Sequence, residues 1–273
     1  MLKDKRIAVI GVGKLGEALV MGLLERGNVE RGNLAGSVKH EESLDRIRER
    51  LCIEVTLDNP LLIRGKDIVL IAVKPQNMDG VVREIAPVLT TQQLVLTVAA
   101  SVTTAFVEER LSGAIPVVRA MPNTPCVLGE GMTVLCGGRH AGAEHLRMAE
   151  EIFKAVGRTV FLDESLMDGV TGLSASGPAY IYVVIESLAE AGVKLGIPRE
   201  ISTLLAAQTM LGAARMVLET KAHPALLKDV VTTPAGCTID GLLELEEGKL
   251  RVTLIKAVVK AAERARELVN TKA

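Results

Sequence analysis

Aromatic residues are nearly missing from this chain of 273 residues, which has no tryptophan, two tyrosines and three phenylalanines. So few rings leave nothing to stack on bases, and a formal net charge of -1 removes the electrostatic footprint of a nucleic-acid binder. Cysteine is scarce as well. Cys52, Cys126, Cys136 and Cys237 form no C-x-x-C pair, so no metal or disulfide framework is expected, and most of them read as small buried hydrophobes. His40, His140, His145 and His223 lack metal-ligand spacing and read as surface or loop residues. No apolar run approaches the length of a membrane span, and the opening MLKDKR leads into a strand without the apolar segment of a secretory signal. A soluble cytoplasmic protein with neither nucleic-acid nor membrane partners is the expectation.

What the chain has in quantity is aliphatic side chains, within a hydrophobic content of 48%. That composition suits packed helices and buried parallel strands. The stretch KRIAVIGVGKLGE, from Lys5 to Glu17, reads as a buried strand that runs through a glycine-rich turn into a helix. Gly11, Gly13 and Gly16 have the spacing G-x-G-x-x-G. Each glycine answers a physical need, with a tight turn at Gly11, close approach of backbone to a pyrophosphate at Gly13, and close helix-to-strand packing at Gly16. The helix that follows points free N–H groups and the positive end of its dipole at the turn. A dinucleotide is the ligand that this arrangement suits, with Gly11, Val12, Gly13, Lys14, Leu15 and Gly16 as its seat.

A second strand is expected over Asn33 to Val38, and its end is where a Rossmann domain inspects the adenosine ribose. A site specific for NAD places Asp or Glu there. This chain instead offers Ser37, Val38, Lys39 and His40, with Glu41 and Glu42 after them. A hydroxyl and a cation with no carboxylate to repel a 2′-phosphate favour NADP, with NADPH preferred and NADH usable. A helix over Glu41 to Leu51 and strands over Asp67 to Val73, Leu94 to Ala99 and Ile115 to Ala120 complete the pattern of a doubly wound parallel sheet. Lys74-Pro75 stops one strand at its carboxyl edge, where ligands of such sheets collect. Another strand runs into Met121 to Pro125, MPNTP, whose rigid turn presents the amide of Asn123 and the hydroxyl of Thr124.

From about Asp163 the strands vanish. The rest reads as helices punctuated by Gly and Pro, with Pro178 and Pro198 in first turns and Gly196 and Gly248 as stops. There is no linker and no internal repeat, so a change of periodicity alone marks the boundary. Residues 1–162 are expected to form the dinucleotide-binding domain and 163–273 a helical domain for substrate and dimerisation. The helices Ala179 to Leu195 and Ile201 to Leu218 are apolar on more than one face, which points to burial against a second subunit. One segment interrupts them: Thr232-Thr233-Pro234-Ala235-Gly236-Cys237-Thr238. Its backbone N–H groups near Ala235 and Gly236 suit a carboxylate, and the same residues also suit an ordinary helix start with Thr238 as N-cap.

Taken in order, IGVGKLGEAL, AVKP at Ala72 to Pro75, MPNTP, TGLSASGPAY at Thr171 to Tyr180 and TTPAGCTIDGL at Thr232 to Leu242 make the chain similar to the Δ1-pyrroline-5-carboxylate reductases. The resemblance spans the chain from first strand to last helix, and its last two motifs together are the most specific. It implies reduction of the imine of pyrroline-5-carboxylate to proline by hydride transfer from NADPH or NADH. It also implies a substrate cradle at Thr233, Ala235, Gly236, Cys237 and Thr238, with the Thr238 hydroxyl meeting the ring nitrogen as the catalytic group. Ser37 and Asn59 match positions on the adenosine half of the cofactor, while Ala72, Val73, Lys74 and Pro75 with Val98, Ala99 and Ala100 line the rest. A dimer through the helical domain is implied, and a ring such as a decamer is a further form of the family. Ala235 and Cys237 depart from the Gly and the Thr or Ala of many members, and Ala235 is expected to need a negative φ. Two other readings fit the first glycine loop: a β-hydroxyacid dehydrogenase or imine reductase, and a non-catalytic NADP-binding oligomeric sensor. The former places a lysine one turn into the helix after a glycine segment, where this chain has PAYIYVVI.

Overall fold

A computed structural model describes residues 2–26 and 29–270. The strands are β1 (Ile7–Ile10), β2 (Leu34–Ser37), β3 (Glu54–Thr56), β4 (Ile68–Ile71), β5 (Leu94–Thr97), β6 (Val117–Met121), β7 (Gly131–Gly137) and β8 (Gly157–Phe161). The first helices are α1 (Lys14–Glu25), α2 (Leu44–Leu51), α3 (Asn59–Leu62), α4 (Met78–Ile85), α5 (Thr104–Glu108), α6 (Ala143–Lys154) and α7 (Met167–Val170). There follow α8 (Gly177–Lys194), α9 (Arg199–Thr220), α10 (Pro224–Val231), α11 (Cys237–Glu247) and α12 (Leu250–Asn270).

Among the described residues, eight strands form one sheet in the order β3-β2-β1-β4-β5-β6-β7-β8. IAVI of β1 and IVLI of β4 are fully buried four-residue runs, as a strand covered on both faces requires. Each buried Ile, Val or Leu of these runs contributes about 1.5–3 kcal/mol by leaving water. One apolar cluster lies on each face: Ile7, Val9, Leu19 and Phe153 belong to one, Ile10, Ile71, Met78 and Ile85 to the other. The parallel sheet expected from the sequence is right for the first six strands in chain order and needs correction beyond them. β7 runs antiparallel to β6, with Arg119 opposite Cys136, and β8 runs parallel to β7. The connection from Pro122 to Glu130 is shorter than the dozen or so residues that a parallel crossover needs, so the chain must reverse. Between β7 and β8, α6 supplies a full crossover, and the direction is kept.

Strands end at Phe161, as the change of periodicity predicts, but the compact units divide elsewhere. One unit comprises residues up to Ala175 and takes back the chain from Lys260 onward, whereas the other comprises Ser176–Val259. The return is secured by the Ser101 hydroxyl, which donates to the Ala265 carbonyl at 3.2 Å, and by Arg266 beside Asp168 at 3.7 Å. Within the second unit, α8 and α9 pack together and still leave Tyr182, Val183, Leu204 and Leu205 more than half exposed. The sequence expectation that no segment approaches membrane-span length is corrected by α9, whose 22 residues are long and apolar enough by length and composition. Its small and polar residues, from Ser202 and Thr203 to Gln208 and Thr209, obscure that length in a sequence scan.

Candidate functional site

The sheet order places β1 beside β4 and changes direction there, so the turns after these two strands form the topological switch point where ligands of open sheets bind. Gly11 follows β1 with φ of +88°, and a Cβ there would lie 2.8 Å from Val73 and 3.1 Å from the Ala72 carbonyl. At Gly16 a Cβ would stand 2.5 Å from the Gly11 carbonyl, so the first turn of α1 rests directly on the glycine turn. Gly13 differs. It is the N-cap of α1, it is exposed, and nothing lies within 4 Å of where its Cβ would be. The protein itself therefore leaves no reason for glycine at this position, and the open space lies beside the unpaired first-turn N–H groups of a helix of 12 residues. That is a cradle which fits a pyrophosphate.

A cleft of about 530 Å³ opens from this turn toward the end of β2. Of the residues expected at a cofactor, Gly11, Ser37, Lys39, Asn59 and Val73 line it. Ser37 is 2% exposed and is locked in place: its carbonyl accepts from the N–H groups of Gly11 and Val12 at 3.1 and 2.8 Å, and its hydroxyl donates to Asn59 Oδ1 at 2.6 Å. Asn59 in turn donates from Nδ2 to Glu84 Oε2 at 3.0 Å. Glu84 overturns the premise that no carboxylate stands near the end of β2, because it lines the same cleft as Ser37 and Lys39. The strand end supplies no acid, as the sequence indicates. The acid comes from α4, a long way further along the chain, where only the i+3 and i+4 spacing with Gly80 and Val81 marks a shared face.

Other expected cofactor residues lie outside the lining of the cleft. Val12, Val98 and Ala99 are buried in the core clusters, Ala72, Pro75 and Ala100 are half-buried, and Lys14 and Lys74 are exposed. The Asn123 amide is engaged within the fold: Oδ1 accepts from the Met132 N–H at 2.8 Å, and Nδ2 donates to the Ser174 carbonyl at 3.3 Å. Next to this segment lies a buried ion pair that the sequence does not announce. Arg119, 1% exposed, donates to Glu164 Oε1 at 3.2 Å, and Glu164 also accepts from the backbone N–H and the hydroxyl of Thr104. Its strand gives no warning, since the apolar residues of VVRAM mark a buried run but not what the arginine inside it pairs with. Cys136 lies opposite, and burial, with Glu164 nearby, pushes its thiol pKa up to about 12. Cys126 is buried too, but Cys52 and Cys237 are exposed, so the buried reading holds for half of the cysteines and not for most. His223 and His145 serve as helix caps, each accepting a backbone N–H on Nδ1.

The loop at 232–238 lies in the second compact unit. Thr233, Ala235 and Cys237 are exposed there, while Gly236 and Thr238 are at least partly exposed. Ala235 takes φ of +55°, which corrects the expectation of a negative angle. The reason is the tight turn in which the Gly236 N–H reaches back to the Thr233 carbonyl at 3.0 Å. At Gly236 a Cβ would meet Thr233 Oγ1 at 2.4 Å, so the side chain missing there lets the turn close. Gly236, not Thr238, is the N-cap of α11, which leaves Thr238 in the first turn and the helix start without a side-chain cap. The backbone N–H groups near Ala235 and Gly236 and the Thr238 hydroxyl are thus adjacent, at the N-terminus of a helix of 11 residues. Among the described residues, no group of three or more His, Cys, Asp or Glu side chains is arranged to hold a metal.

Known proteins resemble both units. The family profile described as pyrroline-5-carboxylate reductase dimerisation matches residues 164–268, and that described as NADP oxidoreductase, coenzyme F420-dependent, matches residues 6–101. The pyrroline-5-carboxylate reductase of Methanosarcina acetivorans is 43% identical over 267 residues, which cover 98% of this chain and 99% of the relative. This chain belongs to the pyrroline-5-carboxylate reductase family. Among solved members, the enzyme from Coxiella burnetii superposes with a TM-score of 0.91 at 36% identity, covering 97% of this chain and 99% of the other. The Plasmodium falciparum enzyme, crystallised with NADP, gives a TM-score of 0.88 at 30% identity and covers 98% and 99%.

Proposed function

We propose that this protein is a pyrroline-5-carboxylate reductase that reduces the imine of Δ1-pyrroline-5-carboxylate to L-proline, the last step of proline biosynthesis, with NAD(P)H. The observation that carries the proposal is identity of 43% along nearly the whole of a relative of that name. When bound, a nicotinamide cofactor would supply the hydride that the imine carbon accepts. The chain's own part is to bind and align: first-turn N–H groups of α1 hold the pyrophosphate, and Ser37 with Asn59 meets the adenosine ribose. At the loop of the helical unit, backbone N–H groups near Ala235 and Gly236 hold the substrate carboxylate, and the Thr238 hydroxyl orients the ring nitrogen. A protonated imine is already electrophilic, so no strong protein acid is required and Thr238 serves as an orienting group.

Dimerisation through the helical unit accounts for the exposed apolar side chains of α8 and α9, with assembly into a larger ring as a further step. Cytoplasmic location without membrane or nucleic-acid partners completes the reading, since an α9 packed against a second copy needs no lipid. The test is loss of NADPH and NADH absorbance on mixing with pyrroline-5-carboxylate, beside a panel of 3-hydroxy acids with NADP. Rapid oxidation with the imine alone is expected. Turnover of the hydroxy acids would make the chain a β-hydroxyacid dehydrogenase, and dinucleotide binding with no turnover would make it a sensor.

A further inference from the structure

At the ribose end of the cleft three side chains form a chain of hydrogen bonds whose polarity has only one solution. A carboxylate only accepts, so Glu84 takes a proton donor from Asn59, which turns the Asn59 amide nitrogen toward it. The Asn59 oxygen is then left facing Ser37, and the Ser37 hydroxyl must donate to it. Ser37 has one hydroxyl proton, and the relay uses it. What Ser37 offers the cleft is therefore a pair of lone pairs. A ribose 2′-hydroxyl can donate to such an oxygen, whereas a 2′-phosphate presents acceptors and negative charge. Glu84 adds its own charge to the same lining, opposed by Lys39.

We infer that Glu84 is a specificity-determining residue: through Asn59 it fixes Ser37 as an acceptor and, with its charge, tilts the cleft toward dinucleotides whose 2′-hydroxyl is free. The inference rests on the dinucleotide binding proposed above. It concerns the balance between NADH and NADPH, and it assigns a function to a residue on α4 that belongs to no glycine motif. Glu84 is exposed, and its replacement leaves the buried faces of α4 untouched.

The experiment measures dissociation constants by titration calorimetry for NADH and NADPH, and for the fragments 5′-AMP and adenosine 2′,5′-bisphosphate, on the full chain. Glu84→Ala releases the Asn59 amide and removes the charge, so the ratio of the NADPH to the NADH constant should fall about tenfold, with the same shift between the fragments. Glu84→Gln removes the charge but still accepts from Asn59 through its amide oxygen, and it should give a smaller shift, about threefold. Lys39→Ala should move the ratio the opposite way. Unchanged ratios in both Glu84 variants would overturn the inference, and equal shifts in the two would overturn the relay through Asn59. Failure of the unmodified protein to bind either dinucleotide would instead remove the reading on which the inference stands.

Discussion

Removing Glu164 should cost far more stability than removing the arginine it pairs with. The Arg119 side chain is 2% exposed and that of Glu164 is 27% exposed. Of the buried guanidinium nitrogens, Nε and Nη2 have no partner among the described residues, and Nη1 donates to Glu164. Glu164→Ala therefore leaves a buried cation uncompensated, a loss of about 3–5 kcal/mol. Arg119→Met keeps the apolar stem and removes the two orphaned donors. It leaves Glu164 held by the Thr104 N–H at 2.8 Å and hydroxyl at 2.6 Å with partial access to water, so its cost should stay below about 2 kcal/mol. Thermal unfolding with bound and free nucleotide reads the difference, at about 2–4 °C per kcal/mol for a unit of this size. Equal costs, or a larger cost for Arg119→Met, would refute the view that stranded charge dominates here. In the double variant, Arg119→Met with Glu164→Ala, most of the loss should be recovered, because no buried ion remains.

Other outcomes can be checked with less effort. Ala235→Gly removes a side chain from a left-handed backbone and should stabilise the protein by about 1 kcal/mol in a denaturation midpoint; a loss would mean that the turn relaxes without it. Gly16→Ala should lower the melting temperature of the nucleotide-free protein because its Cβ meets backbone, while Gly13→Ala should leave that temperature unchanged and weaken NADPH at least tenfold, on the order of what close backbone approach to a pyrophosphate is worth. Cys52 and Cys237, which are exposed, should react with a thiol reagent in the native protein, whereas Cys136, buried and with a pKa pushed up to about 12, should react only after unfolding. Thr238→Ala should reduce turnover about a hundredfold with little change in melting temperature, and unchanged kinetics would remove Thr238 from the mechanism.

The parts of this molecule that can be read from sequence are those in which neighbours along the chain decide the outcome. IAVI followed by G-x-G-x-x-G gives strand, turn and helix because Gly11 and Gly16 are required by atoms a few residues away or by the turn after β4, itself marked by the run IVLI, while Gly13 faces open space. The direction of β7 is not legible in that way. It depends on the length of a connection whose far end, GMTVLCG, reads as the same mostly buried run whichever way it goes. Glu84 and Glu164 escape notice for a common reason: each acts on a residue dozens of positions away, and an acid on a helix face looks solvated until the fold supplies its partner. Thr238 reads as a cap two positions too late, because a Gly that offers no side chain takes the N-cap instead. The left-handed angle at Ala235 has no sequence signature, since alanine is a poor choice for it.

The first compact unit is discontinuous, and this matters while the protein is being made. Its sheet leaves the ribosome complete, yet the buried Ser101 hydroxyl waits for the Ala265 carbonyl, and Asp168 waits for Arg266, until synthesis has passed through all of Ser176–Val259. Ser101 is held at φ of +59°, a backbone state that a non-glycine residue adopts at a cost until such a partner arrives. A nascent chain therefore carries a dinucleotide fold that is closed only by residues translated after the whole of the second unit, and a message cut short before that point yields a sheet without this clasp.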